Sequence, residues 1–446
     1  MYWFMERKEG MFLRLSRSAL FIGVSAVFFA PLFAQAPPAM LTLQEAEAMA
    51  IKNHPQIQAA LNEINYANQQ VVINRSSYFP AISGDITGSQ SYDGSRIGAG
   101  NIQASRLFQR EAQGVVFQQL ITDSGRTPNL VASARFEAQA AAQNSTATRY
   151  TVLLDVNRAY FDVLRAQETV KVAQQTVAAR QTVDTQISEL TKAKLRSDLD
   201  VALADVNVSD AKLLLLRAQD SVTGALAELG RAMGSDQPAN YQLADEPLPA
   251  APPASANSFV AQAINNRPEL ASLRASRQAA YKFYYAERDL KRPTVSAIAT
   301  AGYIPYIVNP TSAAIPPEYE GVGVNASIPI FNGHLFSARE EAAYQHALES
   351  DQKLRDEQER ISRDVRVAWA SAMDSYQRID VTAQFLREAS LGLQLAQGRY
   401  NLGLASIVEL TQSQLNVTNA EIENLNAKYD YQIQYAALQF TIGLLR

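Results

Sequence analysis

The chain contains no cysteine and only three histidines, which lie far apart in the sequence. The absence of cysteine excludes disulfide bonds, cysteine-based metal sites and a cysteine nucleophile. The scattered histidines leave almost no basis for an all-histidine zinc site. No nucleophile–histidine–acid set, phosphate-binding loop or metal motif occurs. We therefore predict a protein without catalytic residues, metal ligands or cofactors, which is not an enzyme.

Positive charge is not in excess either, because the net charge is −4 and no basic patch stands out. This charge balance does not indicate a nucleic-acid partner. Long apolar runs are also missing beyond the N-terminus, so no transmembrane helix is expected in the mature chain.

The N-terminus carries one apolar run, residues 19–34, after two arginines and before a small-residue Ala-Gln-Ala sequence. This arrangement is typical of a secretory signal peptide. A membrane anchor is the alternative, but the run contains Pro31 and falls short of the roughly 20 residues that a spanning helix needs. We predict a signal peptide over residues 1–36, and either Met1 or Met11 fits as the initiating residue.

Proline is absent from two long stretches, residues 129–237 and 330–446. Such stretches indicate nearly uninterrupted helix. The two longest predicted helices would each measure about 90–100 Å, which exceeds the diameter of an ordinary domain. The four helices predicted here run from Pro128 to near Leu190, from Ser197 to the end of the first half, from His334 to near Arg399, and from Ser406 to the end of the chain.

The sequence contains an internal repeat, since residues 46–84 align without a gap with residues 259–297. Each half has the same predicted order: a helix of about 34 residues, two strands, a long helix and a shorter helix. The two opening helices are predicted at Thr42–Arg75 and Ser258–Lys291. The predicted divisions are a first structural repeat at 37–234, a Pro/Ala-rich connector at 235–257 and a second structural repeat at 258–446.

Apolar residues recur at heptad spacing along the long helices, which predicts extended coiled-coil packing. An ordinary helical bundle is the alternative, although helices of this length favour the coiled coil. The predicted stripe in the last helix is Val408, Leu415, Ile422, Tyr429 and Ala436, and the stripe in the first long helix is Val156, Tyr160, Val163 and Leu164.

Four short segments alternate between apolar and polar residues, as strands with two different faces do. Each is close to the 9–11 residues that a tilted strand needs to cross a membrane, and aromatic residues such as Tyr319 and Phe331 lie near several ends, where a barrel has its interfacial girdle. Four strands are too few to close a barrel, so several chains must share one. A soluble sheet capping the helices is the alternative. The segments are Ala81–Tyr92, Glu111–Leu120, Thr294–Tyr303 and Glu318–Ile330.

Motifs repeated in both halves resemble the TolC-like outer-membrane efflux protein family over the whole mature chain. They are "HPQI" and "RPEL" near the start of each half, "YFP" before the first strand, "QQLITDSGR" and "IPIFNGH" after the second and fourth strands, and "LGLASIVELTQSQLNVTNA" at the last helix. The resemblance implies a mainly α-helical fold with a β-barrel part, in which three copies form a 12-stranded barrel in outer-membrane lipid and a long periplasmic helical tunnel.

The same resemblance implies a passive exit duct of a tripartite efflux or type I secretion system in a Gram-negative bacterium. Its implied partners are two further copies of the chain, a periplasmic adaptor protein and an inner-membrane pump. A periplasmic coiled-coil scaffold without a pore is the alternative function; it would extract without detergent, whereas the duct would need detergent.

The resemblance also implies a gate at the breaks between long and short helices. The gate or constriction residues carried over are Asp200, Tyr400, Glu409 and Gln412. The residues of the adaptor-docking tips are Lys194, Leu195, Leu402, Gly403 and Leu404. Three departures from the family pattern are evident. The first tip reads "KAKLRS", in which Lys194 replaces a tip glycine. Gln412 stands where a second acid is often found, and Ala405 stands where a basic residue can occur.

Asp200 and Glu409 each lie three residues after a serine, the spacing of a helix capping box. A capping role alone would place acids here. Alternatively, copies of both residues form acidic rings at a constriction, which would favour cations over anions. The two roles are compatible.

Overall fold

The computed structural model describes residues 40–90, 96–99, 102–106, 110–235, 241–307 and 316–445. The predicted signal peptide lies outside these residues. The helices of the first half are α1 (Leu43–Asn53), α2 (Pro55–Ser76), α3 (Arg126–Lys192) and α4 (Asp198–Ala232). Those of the second half are α5 (Asn257–Asn266), α6 (Pro268–Arg288), α7 (Leu335–Asn401) and α8 (Ile407–Thr441).

The two long helices agree closely with the prediction, because α3 and α7 begin and end within two residues of the expected positions. Each contains 67 residues, which corresponds to a length of about 100 Å. None of the described helices is both long and apolar enough to cross a membrane.

The prediction of a single opening helix in each half is wrong. The helix breaks at His54 and again at Arg267, where ψ is 126° and 120°. Each of these residues precedes a proline, whose ring clashes with a helical conformation of the residue before it. Pro55 and Pro268 then take the first position of the next helix, where a missing N–H costs nothing.

The strands are β1 (Met40–Leu41), β2 (Ala81–Ser89), β3 (Arg96–Ala99), β4 (Ile102–Arg106), β5 (Arg110–Thr122), β6 (Gln242–Leu243), β7 (Thr294–Ile307) and β8 (Glu318–Ser327). The four predicted strands form one antiparallel sheet in the order β2-β5-β7-β8. A separate hairpin, β3–β4, lies between β2 and β5 in the chain, and β1 pairs in parallel with β6.

All four strands differ from the prediction at one end or both. Strand β5 is longer at both ends, and β7 continues past Tyr303 to Ile307. The first strand ends at Ser89, and Tyr92 lies outside the described residues. The last strand ends at Ser327 rather than at Ile330, since Pro329 has no N–H to donate to the ladder.

In each half, the shorter helices pack along the long helix. The α1–α2 pair packs along one part of α3, and α4 packs along the other part. In the second half α5 and α6 pack along one part of α7, with α8 along the other. The halves join where α3 packs against α6 and α8.

The predicted stripe of α3 is buried, with Val156, Tyr160 and Val163 fully inaccessible in the core. The predicted stripe of α8 is buried only toward its C-terminal end, where Tyr429 and Ala436 are 7% and 5% exposed. Val408 is 63% exposed, whereas Leu410 and Leu438 are fully buried. The helix is apolar on more than one face, so a heptad count alone does not select the face that meets α7.

The connector crosses the helices as an extended strap fixed through its backbone carbonyl groups. The hydroxyl of Tyr160 donates to the carbonyl of Ala244 at 2.7 Å, and Trp369 Nε1 donates to the carbonyl of Pro253 at 2.8 Å. Because Tyr160 is on α3 and Trp369 on α7, the strap ties the two halves together. The predicted divisions at 37–234, 235–257 and 258–446 stay predictions.

Two buried acids, Glu287 and Asp289, join the end of α6 to the starts of α3 and α7. Asn129 Nδ2 donates to Asp289 at 3.0 Å, and Arg339 donates to both carboxylate oxygens of Glu287 at 2.5 and 2.9 Å. Both acids are 2% exposed. Removing one partner of such a pair is costly, so these contacts hold the starts of α3 and α7 against the end of α6.

Candidate functional site

The sheet has two chemically different faces because side chains alternate along every strand. One row across the four strands joins Ile82, Phe117, Ala299 and Val322, and the adjacent row joins Ser83, Val116, Thr300 and Gly321. The first face is mainly apolar. The second is richer in polar residues, which include Ser83, Asp85, Thr87, Gln118, Ser296, Thr300 and Asn325.

The far ends of the long helices form two similar turns. The N–H of Leu195 donates to the carbonyl of Leu190, and the N–H of Leu404 donates to the carbonyl of Arg399, each at 2.8 Å. This pattern is the Schellman motif, which needs a left-handed residue. Gly403 fills that position with φ of 72°, and Lys194 fills it in the first half with φ of 61°. Lys194 therefore preserves the turn, but its backbone adopts a left-handed conformation that is strained for a residue with a side chain.

The leucines of both turns face outward. Leu195 is 70% exposed, Leu402 76% and Leu404 67%. Single exposed leucines are ordinary, but three at one end of the molecule form an apolar surface.

Asp200 makes the complete capping box that its spacing predicted. The Asp200 N–H donates to Ser197 Oγ and the Ser197 N–H donates to Asp200 Oδ2, both at 3.3 Å. The Asp200 carboxylate therefore caps the start of α4, and the residue is partly exposed to solvent.

The capping box expected at Glu409 is incomplete. Its N–H donates to Ser406 Oγ at 3.3 Å, but among the described residues its carboxylate pairs with Arg399 at 3.5 Å. The Nε2 of Gln412, one turn further along α8, donates to Asn416 Oδ1 at 3.1 Å. The Glu409 carboxylate is thus less tied to the backbone of its own helix than that of Asp200, and it faces Arg399 instead.

Tyr400 does not lie open to solvent as a side chain that lines a constriction would. It is 3% exposed and packs with Ile187, Ile407 and Leu410. Burial raises the pKa of its hydroxyl; the nearby Arg196 opposes this shift and Asp200 adds to it. The hydroxyl has no hydrogen-bond partner among the described residues.

The residue that holds Tyr400 was not predicted as a site residue. The Arg196 guanidinium carbon lies 4.2 Å from the centre of the Tyr400 ring, and its Nη2 donates to the Tyr400 carbonyl at 2.7 Å. This contact, which we term the tip latch, joins the turns of the two halves. Its only signal in the sequence is that Arg196 lies within the segment that departs from the family pattern.

No group of three or more histidine, aspartate or glutamate residues that could hold a metal ion occurs in the part of the chain that the structure describes. The acids at the tips instead act as helix caps or ion-pair partners.

The model of the outer membrane efflux protein family matches the chain twice, over residues 48–235 and 259–444. The chain belongs to the outer membrane efflux protein family. The two matches correspond to the two halves of the internal repeat, one on each side of the connector.

Proteins similar to this chain are named as outer membrane proteins. It is 23% identical to the outer membrane efflux protein BepC of Brucella suis, over 90% of this chain and 85% of that protein. It is 22% identical to the outer membrane protein TolC of Salmonella enteritidis, over 96% of this chain and 86% of that protein. The solved structure of the outer membrane protein VceC from Vibrio cholerae has a TM-score of 0.76 at 17% identity, covering 90% of this chain and 96% of that one.

Family membership confirms the resemblance noted in the motifs and the mainly helical fold with a two-fold repeat. It also confirms the predicted outer-membrane location and the predicted function as an efflux channel.

Proposed function

We propose that three copies of this outer membrane efflux protein form a continuous exit duct, with a shared β-barrel in the membrane and a helical tunnel in the periplasm. A periplasmic adaptor and an inner-membrane pump or exporter deliver substrates, which leave without chemical change. The duct serves a tripartite efflux or type I secretion system.

The observation that carries this proposal is that the sheet and the helical layer are open at the same two edges. The sheet ends at β2 on one side and β8 on the other. Strand β2 follows α2, and β8 leads into α7. In the helical layer the principal packing pairs also run from α2 and α4, through α3 and then α6 and α8, to α7. A neighbouring copy that pairs its β2 with β8 would therefore bring its α2 and α4 beside α7.

The open helical edge has the residues of an unoccupied coiled-coil seam. Leu199, Val206 and Leu213 are spaced seven apart on α4 and are 67%, 57% and 50% exposed. Exposed apolar residues also follow α7, among them Val381 and Leu395. Heptad stripes that face no helix of their own chain favour packing between copies.

The number of copies follows from the strands and from the family resemblance. One chain supplies four strands to the sheet, and an open sheet edge cannot lie in lipid. Two copies would give the minimum of about eight strands, and three copies of four strands give about twelve. The resemblance to TolC-like proteins favours three.

At the opposite end, we infer that the tips form both the gate and the adaptor-docking surface. The exposed leucines Leu195, Leu402 and Leu404, together with Lys194 and Gly403, provide the docking surface. Tyr400 contributes to the gate through the tip latch rather than by lining the opening. Asp200, Glu409 and Gln412 line the constriction, where three copies of each acid would favour cations.

Two adjacent residues of β8 test the assignment of the sheet faces. Val324 is 69% exposed on the apolar face, and Asn325 lies on the polar face. Val324→Arg should impair assembly in the membrane, because arginine on the lipid face costs about 2–4 kcal/mol near the bilayer centre. Asn325→Arg adds the same side chain to the lumen and should leave a heat-labile trimer. Equal assembly of the two variants would contradict the barrel.

The measurement of first importance compares unheated and heated samples of the detergent-extracted protein, with single-channel recording of the unheated fraction. A heat-labile, conducting trimer is expected. A protein that extracts without detergent and does not conduct would support the scaffold function instead.

A further inference from the structure

One row of the sheet contains an aromatic residue, two glycines and an acid. The register pairs Asp85 with Gly114, Gly114 with Gly302, and Gly302 with Tyr319. These residues are on the polar face. Tyr319 was expected in an aromatic girdle at the membrane interface, but its position on this face places it in the lumen of the proposed barrel.

The Tyr319 side chain lies flat against the sheet. A side chain at Gly114 or Gly302 would collide with the Tyr319 phenol. Tyr319 is also the one residue of β8 that is half-buried, whereas the others are exposed. The two glycines thus leave a shallow track in which the ring lies with one face against the backbone and the other face open.

Asp85 is the next residue in this row beyond Gly114. Its Oδ2 accepts a hydrogen bond from Ser83 Oγ at 3.3 Å, and the side chain is exposed. The phenol hydroxyl points along the row toward this acid, since it lies over Gly114. An open aromatic face and a carboxylate are therefore neighbours on one wall.

We propose that Tyr319 and Asp85 form a contact site for organic cations on the lumenal wall of the duct. The site rests on the proposed function, because the polar face is lumenal only if the barrel forms. An alkylammonium group is attracted to the negative face of an aromatic ring, and the carboxylate beside the ring provides the opposite charge. A neutral or anionic solute gains neither interaction.

A binding site on an open, water-exposed barrel wall should bind solutes weakly. Weak binding is compatible with a duct, because a solute that binds must also be released. A cation–π contact and an exposed ion pair are each weak in water. Loss of either group should therefore weaken binding by about two- to fivefold.

The test measures how tetrabutylammonium blocks the potassium current through single channels. The blocker is added to the chamber into which the barrel opens, on the side away from the helical tunnel. Tyr319→Leu and Asp85→Asn should each raise the half-blocking concentration about two- to fivefold, and Tyr319→Phe should retain block because the ring is kept. Tyr303→Leu is the matched control: Tyr303 pairs with Glu318 and Gln113 on the apolar face. The tip residues are unchanged in all four variants.

Unchanged block in Tyr319→Leu and Asp85→Asn would overturn the site, as would an equal loss in Tyr303→Leu. If Tyr319→Leu does not assemble, Asp85→Asn decides, since it removes only the charge. A wild-type protein that does not conduct would refute the duct itself. In that case, saturation-transfer NMR between the detergent-solubilised protein and tetrabutylammonium tests the site separately: a transfer that Tyr319→Leu abolishes supports it, and absence of transfer overturns it.

Discussion

The tip latch between Arg196 and Tyr400 should hold the proposed gate closed, and Arg196→Met is the substitution that isolates this contact. Methionine replaces the unbranched aliphatic part of the arginine side chain with one of similar length, but it lacks the guanidinium group. Two interactions are lost together: the 2.7 Å hydrogen bond to the Tyr400 carbonyl and the 4.2 Å contact with the ring.

The size of the effect follows from these two contacts. A hydrogen bond from a charged donor contributes about 1.5–3 kcal/mol, and a cation–π contact at an exposed site about 0.5–1 kcal/mol. Arg196 is only half-buried, so solvent screening reduces the sum. We expect about 1–2 kcal/mol, which corresponds to an increase of about five- to thirtyfold in the ratio of open to closed channels.

The assay is the open fraction of single channels in planar bilayers. Lys192→Met is the matched control, because Lys192 carries the same charge in the same turn but pairs with the exposed Glu189 at 2.7 Å. Such surface pairs contribute about 0–1 kcal/mol, so its open fraction should change little. An open fraction of Arg196→Met equal to that of Lys192→Met would refute the latch.

Three further outcomes are expected. Lys194→Gly should raise the free energy of unfolding by about 1 kcal/mol in denaturant titrations, since glycine accepts the φ of 61° that strains lysine; a decrease would contradict the strain. Glu409→Gln should lower the cation preference measured from reversal potentials, and an unchanged preference would limit Glu409 to its contact with Arg399. Burial holds the pKa of His54 below its ordinary value of 6.5, so the unfolded state binds more protons and stability should fall as the pH drops below about 6.5. His54→Asn, which keeps a capping side chain, should flatten that fall in thermal unfolding between pH 7 and 5, and an identical profile would refute the assignment.

The long helices and the strands of the sheet could be predicted because their signals are local. Absence of proline, heptad spacing and period-2 alternation act within a few residues of each position. The break at His54 was equally local, since Pro55 is visible in the sequence, and it was missed because the apolar pattern continues across it.

The sequence alone determined the repeat, the two strand faces and the family to which the chain belongs. Only the tertiary structure decided that Arg196 meets Tyr400, because the two residues are 204 positions apart and no local pattern pairs them. It also decided that Tyr319 lies in a track of two glycines, since Gly114 and Gly302 come from different halves of the chain. Contacts of this kind depend on the register between distant segments, which is fixed when the sheet and the helices pack and not by the preferences of any single segment.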